Sequence, residues 1–196
     1  MAVRETPDTA MVSADAARSL AEDIQTGDVT AALLENDLES GYVIAKEAAV
    51  VCGRPWFDAC FRQLDPDIDI DWLVDEGQPV SADTVVVRFR GKTRAVVGAE
   101  RSALNFLQTL SATATQTAAF AQALAGSRTR VLDTRKTLPG LRLAQKYAVC
   151  IGGGLNHRMG LYDAVMLKEN HIIPEGSITA AVKKARSLYP DIAVIV

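Results

Sequence analysis

Residues 130–168 have the sequence RVLDTRKTLPGLRLAQKYAVCIGGGLNHRMGLYDAVMLK. In it, short apolar runs alternate with segments whose apolar residues recur at helical spacing. The pattern, continued to the end of the chain, predicts five alternating elements: strands at 130–133, 164–167 and 192–196, and helices at 141–149 and 178–188. Strands and helices that alternate at this interval are typical of a parallel β/α architecture, either an open sheet or a barrel. The C-terminal half is therefore predicted to be α/β.

The residues before this stretch have a mixed pattern. Helices are predicted at 13–27, with Ser13 as its cap, at 55–64, and at 100–125 with an interruption near Ser111. Strands are predicted within 42–51, and two more, at 85–89 and 95–97, would flank a hairpin turn at Gly91-Lys92. We expect the first hundred residues to form an α+β unit ahead of the parallel β/α part.

Basic residues are concentrated in one part of the chain. The 196 residues carry a formal net charge of −3, but residues 126–168 hold eight Lys and Arg against only Asp133 and Asp163. A basic segment in an acidic protein favours a focused site for a small anion, with a solvated basic face as the alternative. A nucleic-acid surface would more often make the whole domain basic, so no nucleic-acid partner is predicted.

The N-terminal residues, the apolar stretches and the cysteines do not suggest a membrane or secreted protein. Glu5 and Asp8 interrupt the N-terminal residues, so a signal peptide is not predicted. No apolar stretch approaches the length that spans a bilayer. The three cysteines, Cys52, Cys60 and Cys150, are widely spaced and fit no disulfide or metal pattern. We therefore predict a cytoplasmic protein with reduced thiols and no membrane partner.

Several cations follow the predicted strands of the β/α half. Arg135 and Lys136 come after strand 130–133, and Lys168 comes after strand 164–167. His157 and Arg158 follow a glycine turn at 152–154, which we interpret as a tight turn that lets the backbone approach a ligand. Because the carboxyl ends of parallel strands meet at one edge, these side chains are expected to converge. Converging cations indicate a ligand with several negative charges.

Several motifs within this half resemble the signature of the quinolinate phosphoribosyltransferases. They are DTRKTLPGLR at 133–142, KYAV at 146–149, GGGLNHR at 152–158 followed by GL at 160–161, and LKENH at 167–171. ERSALNFLQ at 100–108 resembles the interdomain helix of that family, and GDVT at 27–30 its N-terminal segment. The resemblance covers the chain from about residue 13 to its end.

The resemblance implies a fold, a reaction and a set of site residues. The implied fold is α/β: an α+β sandwich domain at 1–106, followed by the first part of an incomplete α/β barrel of the type II phosphoribosyltransferase kind at 107–196. The implied enzyme is a pentosyltransferase that converts quinolinate and phosphoribosyl pyrophosphate, with Mg²⁺, into nicotinate mononucleotide, pyrophosphate and CO2 for NAD biosynthesis. The residues implied to line the pocket are Thr134, Arg135, Lys136, His157, Arg158 and Lys168.

The resemblance also implies an assembly and a longer chain. The family forms at least a homodimer, in which the arginine that matches Arg101 reaches into the neighbouring site. Lys136 and Lys168 are candidate catalytic residues that would offset charge on the departing pyrophosphate. No metal ligand is expected before Val196, because the family's acidic magnesium contacts lie beyond that position. The apolar strand predicted at 192–196 has no following helix to cover it, and it would leave an unpaired sheet edge. We therefore expect the chain to be a fragment that is poorly soluble and catalytically silent on its own.

Other site types fit the sequence less well. His157 replaces the last glycine of a GxGxxG dinucleotide motif, and the two histidines have no cysteine partner for zinc. The acids of 65–76 resemble a calcium loop, but Ile70 occupies its required glycine and the alternation of 68–72 favours an edge strand. Two functional alternatives remain: a lipoyl-type carrier with Lys92 at a hairpin tip, and a non-catalytic or transport-associated paralogue that binds an anion.

Overall fold

A computed structural model describes residues 7–196 of the chain, so Glu5, whose charge argues against a signal peptide, lies outside the described range. The N-terminal part contains α1 (Thr9–Ile24), a 3-10 helix (Ala31–Leu33), β1 (Leu38–Ile44), β2 (Ala49–Val50), α2 (Arg54–Leu64), β3 (Asp69–Trp72), β4 (Pro79–Val80), β5 (Val85–Lys92) and α3 (Thr93–Ala123). The C-terminal part contains α4 (Arg142–Ile151), β6 (Ala164–Met166), α5 (Glu169–Glu175), α6 (Ile178–Leu188) and β7 (Ala193–Ile195).

The N-terminal part is an α+β layer structure. Its main sheet is antiparallel in the order β1-β5-β3, and β2 pairs with β4 beside it. Along β5 the side chains alternate, with Val87 and Phe89 buried and Arg88 and Arg90 exposed, as expected for a sheet covered on one face. The covered face packs on helices α2 and α3, where Phe57 contacts the ring of Phe89. This burial confirms the predicted α+β character of the first hundred residues.

The predicted hairpin around Gly91-Lys92 is wrong. Strand β5 continues to Lys92 without a turn, and α3 begins at the next residue. The buried Asp65 holds this junction, because its Oδ2 accepts the Lys92 N–H at 2.9 Å. Residues 95–97 are the first turn of the helix and bury Val96. Lys92 is therefore not at a hairpin tip, and the carrier-type alternative loses its structural basis.

Helix α3 is also continuous where an interruption near Ser111 was predicted. The Ser111 hydroxyl accepts the Cys52 N–H at 2.9 Å and donates to the Cys52 carbonyl at 3.1 Å. A serine inside a helix is tolerated when its hydroxyl has such partners, and here it joins α3 to the chain before α2. The predicted domain boundary after residue 106 falls inside this helix and stays a prediction.

The remaining boundaries follow from local caps. Helix α1 starts one turn earlier than predicted, because Asp8 rather than Ser13 is the cap and accepts the Ala10 N–H at 3.0 Å. The helix predicted from Pro55 is confirmed as α2, and the one predicted at 178–188 is confirmed as α6. Strand β3 lies at the sheet edge, as predicted for 68–72. Helix α5 was not predicted from the sequence. Within residues 7–196 no helix is both long and apolar enough to cross a membrane.

The C-terminal part has the predicted parallel strands in a shorter form. Strand β6 pairs with β7 in parallel. The strand predicted at 130–133 is only a single parallel bridge between Leu132 and Leu155. In that bridge the Leu155 N–H donates to Val131 O at 2.9 Å and the Asp133 N–H donates to Leu155 O at 3.1 Å. Segments 131–133 and 154–156 are therefore neighbours with the same direction.

The glycine turn at 152–154 packs against helix α3. A Cβ on Gly152 would meet the Ala114 carbonyl and lie 2.7 Å from Cβ of Thr117, and a Cβ on Gly154 would lie 2.9 Å from Cγ2 of Thr117. Gly153 has a φ of +89°, which favours glycine for conformational reasons. The turn therefore brings the backbone close to α3, and its approach to a ligand stays a prediction.

We predict that Gly152→Ala destabilises the chain by about 2–3 kcal/mol, because the added methyl group has no room against the α3 backbone. Gly152 has a φ of −73°, so alanine adds no conformational strain there. Gly140→Ala is the control: Gly140 has a φ of +80° and open space around it, so only strain of about 1 kcal/mol is expected. Urea denaturation measures both, and an equal or smaller loss for Gly152→Ala would contradict the packing role.

Candidate anion-binding site

A buried ion pair lies at the centre of the candidate site. The Lys146 side chain is 1% exposed and forms an ion pair with Asp133, whose side chain is 5% exposed. The Lys146 ammonium also donates to the His157 carbonyl at 3.0 Å, and the His157 N–H donates to Asp133 Oδ1 at 2.8 Å. A charge removed from water is stable only when it is paired and hydrogen-bonded in this way. We call Asp133, Lys146 and the His157 backbone the central network.

Asn156 completes the coordination of the Asp133 carboxylate. With its amide nitrogen facing the network, Asn156 donates to Asp133 Oδ2 at 2.6 Å and to the Lys146 carbonyl at 3.0 Å. Both carboxylate oxygens of Asp133 therefore have donors. A fully satisfied network around a buried ion pair restrains the segments that contribute to it.

Helix α4 positions this network from one side and packs on the core from the other. Ala144 and Ala148 belong to the hydrophobic core, whereas Lys146 lies about 200° around the helix from Ala144. Near the start of α4, Arg142 Nη1 donates to the Met159 carbonyl at 3.2 Å, and Gln145 Oε1 accepts the Leu138 N–H at 2.7 Å. One helix therefore holds both the segment after Asp133 and the loop after His157.

The segment after Asp133 carries three predicted site residues. Thr134 Oγ1 accepts the Lys136 N–H at 3.0 Å, which forms a tight turn. Arg135 is half-buried, and its Nε is buried without a hydrogen-bond partner. Across residues 7–196 no other side-chain nitrogen or oxygen is buried in this state. Thr134 and Lys136 also line a cavity of about 500 Å³, together with Asp133 and Lys146.

The second segment carries His157 and Arg158. Both are half-buried, and Arg158 Nη1 donates to the Ala164 carbonyl at 3.1 Å. The loop that follows is closed by Asp163, which accepts the N–H groups of Met159 at 2.7 Å and Gly160 at 2.9 Å. These backbone donors lower the pKa of Asp163, so its carboxylate, which closes the loop, is ionised at neutral pH.

The predicted site residues fall into two groups. The central network brings the segment with Thr134, Arg135 and Lys136 beside the segment with His157 and Arg158. Lys168 is exposed at the start of α5, where its N–H donates to His171 Nδ1 at 3.1 Å. Arg101 is exposed on α3. Within residues 7–196 no hydrogen bond or ion pair joins Lys168 or Arg101 to the others, and their roles stay predictions.

The central network was not predicted from the sequence. Asp133 and Lys146 are 13 residues apart, a spacing that has no meaning within one helix or one strand. Asn156 and the backbone of His157 come from a third segment. The available signal was a lysine inside the helix pattern of 141–149, flanked by the small apolar residues Ala144 and Ala148. Because this lysine lies on the helix face opposite the two alanines, the local pattern alone favours exposure and does not identify a buried partner.

Comparisons with known proteins converge on one family. The family described as quinolinate phosphoribosyl transferase, N-terminal domain, matches residues 28–111, and its C-terminal domain matches residues 113–196. A probable nicotinate-nucleotide pyrophosphorylase [carboxylating] of Synechocystis is 46% identical over 87% of this chain and 58% of its own length. The chloroplastic nicotinate-nucleotide pyrophosphorylase [carboxylating] of Arabidopsis thaliana is 43% identical over 90% and 53%. The chain thus spans little more than half the length of these curated relatives.

Solved structures show the same likeness in three dimensions. The nicotinate-nucleotide pyrophosphorylase of Francisella tularensis superposes with a TM-score of 0.94 at 43% identity, over 99% of this chain and 69% of that one. NadC of Streptococcus pyogenes superposes with a TM-score of 0.92 at 36% identity, over 97% and 68%. The predicted α/β fold class is confirmed by this agreement.

We predict that Lys146→Met destabilises the chain by about 3–5 kcal/mol, because it leaves the buried Asp133 carboxylate without its cation. Lys184→Met is the matched control. Lys184 pairs with Glu175 at the surface, where the two side chains are 59% and 29% exposed, so a loss below about 1 kcal/mol is expected. Chemical denaturation of both variants at neutral pH decides the point. Similar losses in the two variants would show that the central network does not stabilise the fold.

Proposed function

This chain belongs to the quinolinate phosphoribosyltransferase family, and from that membership we propose that it binds quinolinate for phosphoribosyl transfer with decarboxylation. The proposed reaction is that of a pentosyltransferase, in which quinolinate and phosphoribosyl pyrophosphate give nicotinate mononucleotide, pyrophosphate and CO2. The proposed quinolinate site lies between the segment of Arg135 and the segment of Arg158.

The unpaired Nε of Arg135 is the observation that carries the proposal. A buried donor without a partner costs about 1–3 kcal/mol, and native structures rarely contain one without a reason. A carboxylate is the natural partner, because the guanidinium fork matches its two oxygens. A ligand carboxylate at Arg135 would satisfy this nitrogen and gain a charge-assisted hydrogen bond.

The charge balance of the site supports a ligand with two carboxylates. Asp133 is already neutralised by Lys146, so it does not offset the positive charges of Arg135, Lys136 and Arg158. These cations repel one another until an anion lies among them. Quinolinate carries two carboxylates on adjacent ring carbons, and Arg135 and Arg158 are proposed to take one each, with Lys168, Thr134 and His157 around them.

The proposed chemistry needs no nucleophilic side chain. The pyridine nitrogen of quinolinate attacks C1 of the ribose, and the C1–O bond to pyrophosphate breaks with its electron pair leaving on the pyrophosphate. The nitrogen is then cationic, and it stabilises the electron pair that stays on C2 when the C2–carboxylate bond breaks and CO2 departs. The ring carbon finally takes a proton. Such a reaction depends on positioning and on electrostatic stabilisation, and we propose that Lys136 and Lys168 offset the charge on the departing pyrophosphate.

Mg²⁺ is proposed only as the ion that accompanies the pyrophosphate group. Within residues 7–196, no three or more acidic, histidine or cysteine side chains are grouped so that they could hold a metal ion. These residues therefore do not fit a magnesium site by themselves, and no step is assigned to the metal here.

The cytoplasmic location is likewise a proposal, and the names of several plant relatives describe them as chloroplastic or mitochondrial.

A second copy of the chain is the proposed partner. Arg101 lies on α3 and is exposed, and its side chain has no hydrogen bond or ion pair within residues 7–196. One to two turns further along α3, Leu104, Leu107 and Gln108 line a largely apolar cavity of about 520 Å³. An unpaired cation beside an apolar surface suits an interface, and we propose that Arg101 enters the quinolinate site of the partner.

We predict that Arg135→Ala weakens quinolinate binding by about 2–5 kcal/mol, as expected when one member of a buried charge pair is removed. Isothermal titration calorimetry of the chain with quinolinate measures the loss. The control is Arg128→Ala, which removes an exposed arginine of the same basic segment and should leave the affinity within about twofold. Unchanged affinity in Arg135→Ala would reject the proposed site.

We predict that Arg101→Ala and Arg158→Ala each lose quinolinate affinity, and that mixing the two variants restores it in part. Each mixed dimer would contain one site with both arginines intact and one site with neither. Calorimetry after subunit exchange should therefore recover tight sites that neither variant has alone. If no tight sites return while native mass spectrometry, with one variant isotopically labelled, shows mixed dimers, Arg101 does not act in the neighbouring site.

A further inference from the structure

We propose that Asp133, Lys146 and Asn156 form a positioning unit that fixes the separation of Arg135 from Arg158 and thereby selects a ligand with two neighbouring carboxylates. The inference rests on the proposed quinolinate site, and it assigns roles to residues that were not predicted to take part. None of the three is proposed to touch the ligand. They are positioning residues that act through the two arginines.

The first step is the short path from the network to each arginine. Asp133 lies two residues before Arg135 in the chain. Its carboxylate accepts the backbone N–H of His157 at 2.8 Å, and His157 directly precedes Arg158. The two arginines are therefore linked through one carboxylate and a few backbone bonds. Any movement of Asp133 relative to His157 changes the distance between the backbone positions from which the two arginine side chains extend.

The second step is the immobility of this link. Lys146 donates to the His157 carbonyl at 3.0 Å while Asp133 accepts the His157 N–H, so both backbone groups of His157 are held. Asn156 holds the other carboxylate oxygen of Asp133 at 2.6 Å. The side chains of Lys146 and Asp133 are almost fully buried, so water does not replace these bonds when one of them stretches.

The third step separates positioning from ligand contact. Lys146 uses two of its three N–H donors on Asp133 and His157, and its side chain is 1% exposed. Arg135, by contrast, has a donor that is buried and free. The ligand therefore meets the arginine, while the lysine determines where the arginine is. Preorganisation of this kind raises affinity by reducing the entropy that binding removes.

The consequence is a specific effect on ligand choice. A pyridine with carboxylates on adjacent carbons must meet Arg135 and Arg158 at the same time, so it depends on their separation. A pyridine with one carboxylate needs only one arginine and tolerates a change in separation. Loosening the unit should therefore reduce the preference for the dicarboxylate, whereas a general loss of stability would weaken all ligands alike.

The test compares three pyridines on the full 196-residue chain by calorimetry: quinolinate, nicotinate and picolinate. In Lys146→Gln and in Asn156→Ala, quinolinate affinity should fall by about tenfold or more, as for other residues that support a binding group. The affinities for the two monocarboxylates should change by less than about twofold. Lys184→Gln, a surface lysine, is the matched control and should leave all three affinities unchanged. Asn156 is exposed, so its variant keeps the test valid if Lys146→Gln does not fold.

Hydrogen exchange of the His157 amide supplies a second readout that needs no ligand. We expect this amide to exchange at least about fivefold faster in both variants, because its acceptor Asp133 is no longer held. If the wild-type chain binds quinolinate and the folded variants keep its preference, the positioning role is overturned while the quinolinate site stands. If the wild-type chain binds no quinolinate, the proposed function fails, and the inference falls with it as a statement about ligand choice. Unchanged His157 exchange in the folded variants overturns the positioning role in either case.

Discussion

A buried lysine and a buried aspartate cannot exist apart, and this constraint governs the C-terminal half of the chain. Removing an ammonium or a carboxylate from water costs several kcal/mol, so each must find an opposite charge and further hydrogen bonds. Lys146 finds Asp133 and the His157 carbonyl, and Asp133 finds Lys146, the His157 N–H and Asn156. These two charges join three separate segments, two of which are also paired through the bridge between Leu132 and Leu155.

Helix α4 transmits this constraint to the rest of the fold. Its Ala144 and Ala148 join the core, and its Tyr147 ring packs 5.5 Å from the ring of Trp56 on α2. Burial, and the Glu76 carboxylate beside it, raise the pKa of Tyr147. After α4 ends, Gly152 and Gly154 bring the chain into close contact with α3, so the start of the next segment is fixed relative to that helix. The position of His157 is thus defined from the core outward.

Sequence patterns predicted the elements whose causes are local and missed those whose causes are distant. Helices α2 and α6 follow from apolar spacing and from nearby caps, and both were predicted. The hairpin at Gly91 was wrong because Asp65, far away in the chain, holds the junction of β5 with α3. The strand at 130–133 shortened to one bridge because its pairing depends on Leu155. The cations of the site could be recognised from motifs, but the free Nε of Arg135 and the Asp133–Lys146 pair depend on packing that no local pattern encodes.

The most direct test of this arrangement is a crystal structure of the chain grown with quinolinate. We expect one carboxylate of quinolinate within about 2.7–3.2 Å of Arg135 Nε or its terminal nitrogens and the other within the same distance of Arg158. We also expect the Asp133–Lys146 pair to remain intact beneath them without touching the ligand. Quinolinate bound to Arg135 with Lys146 released from Asp133, or bound away from both arginines, would contradict the central role of the buried pair.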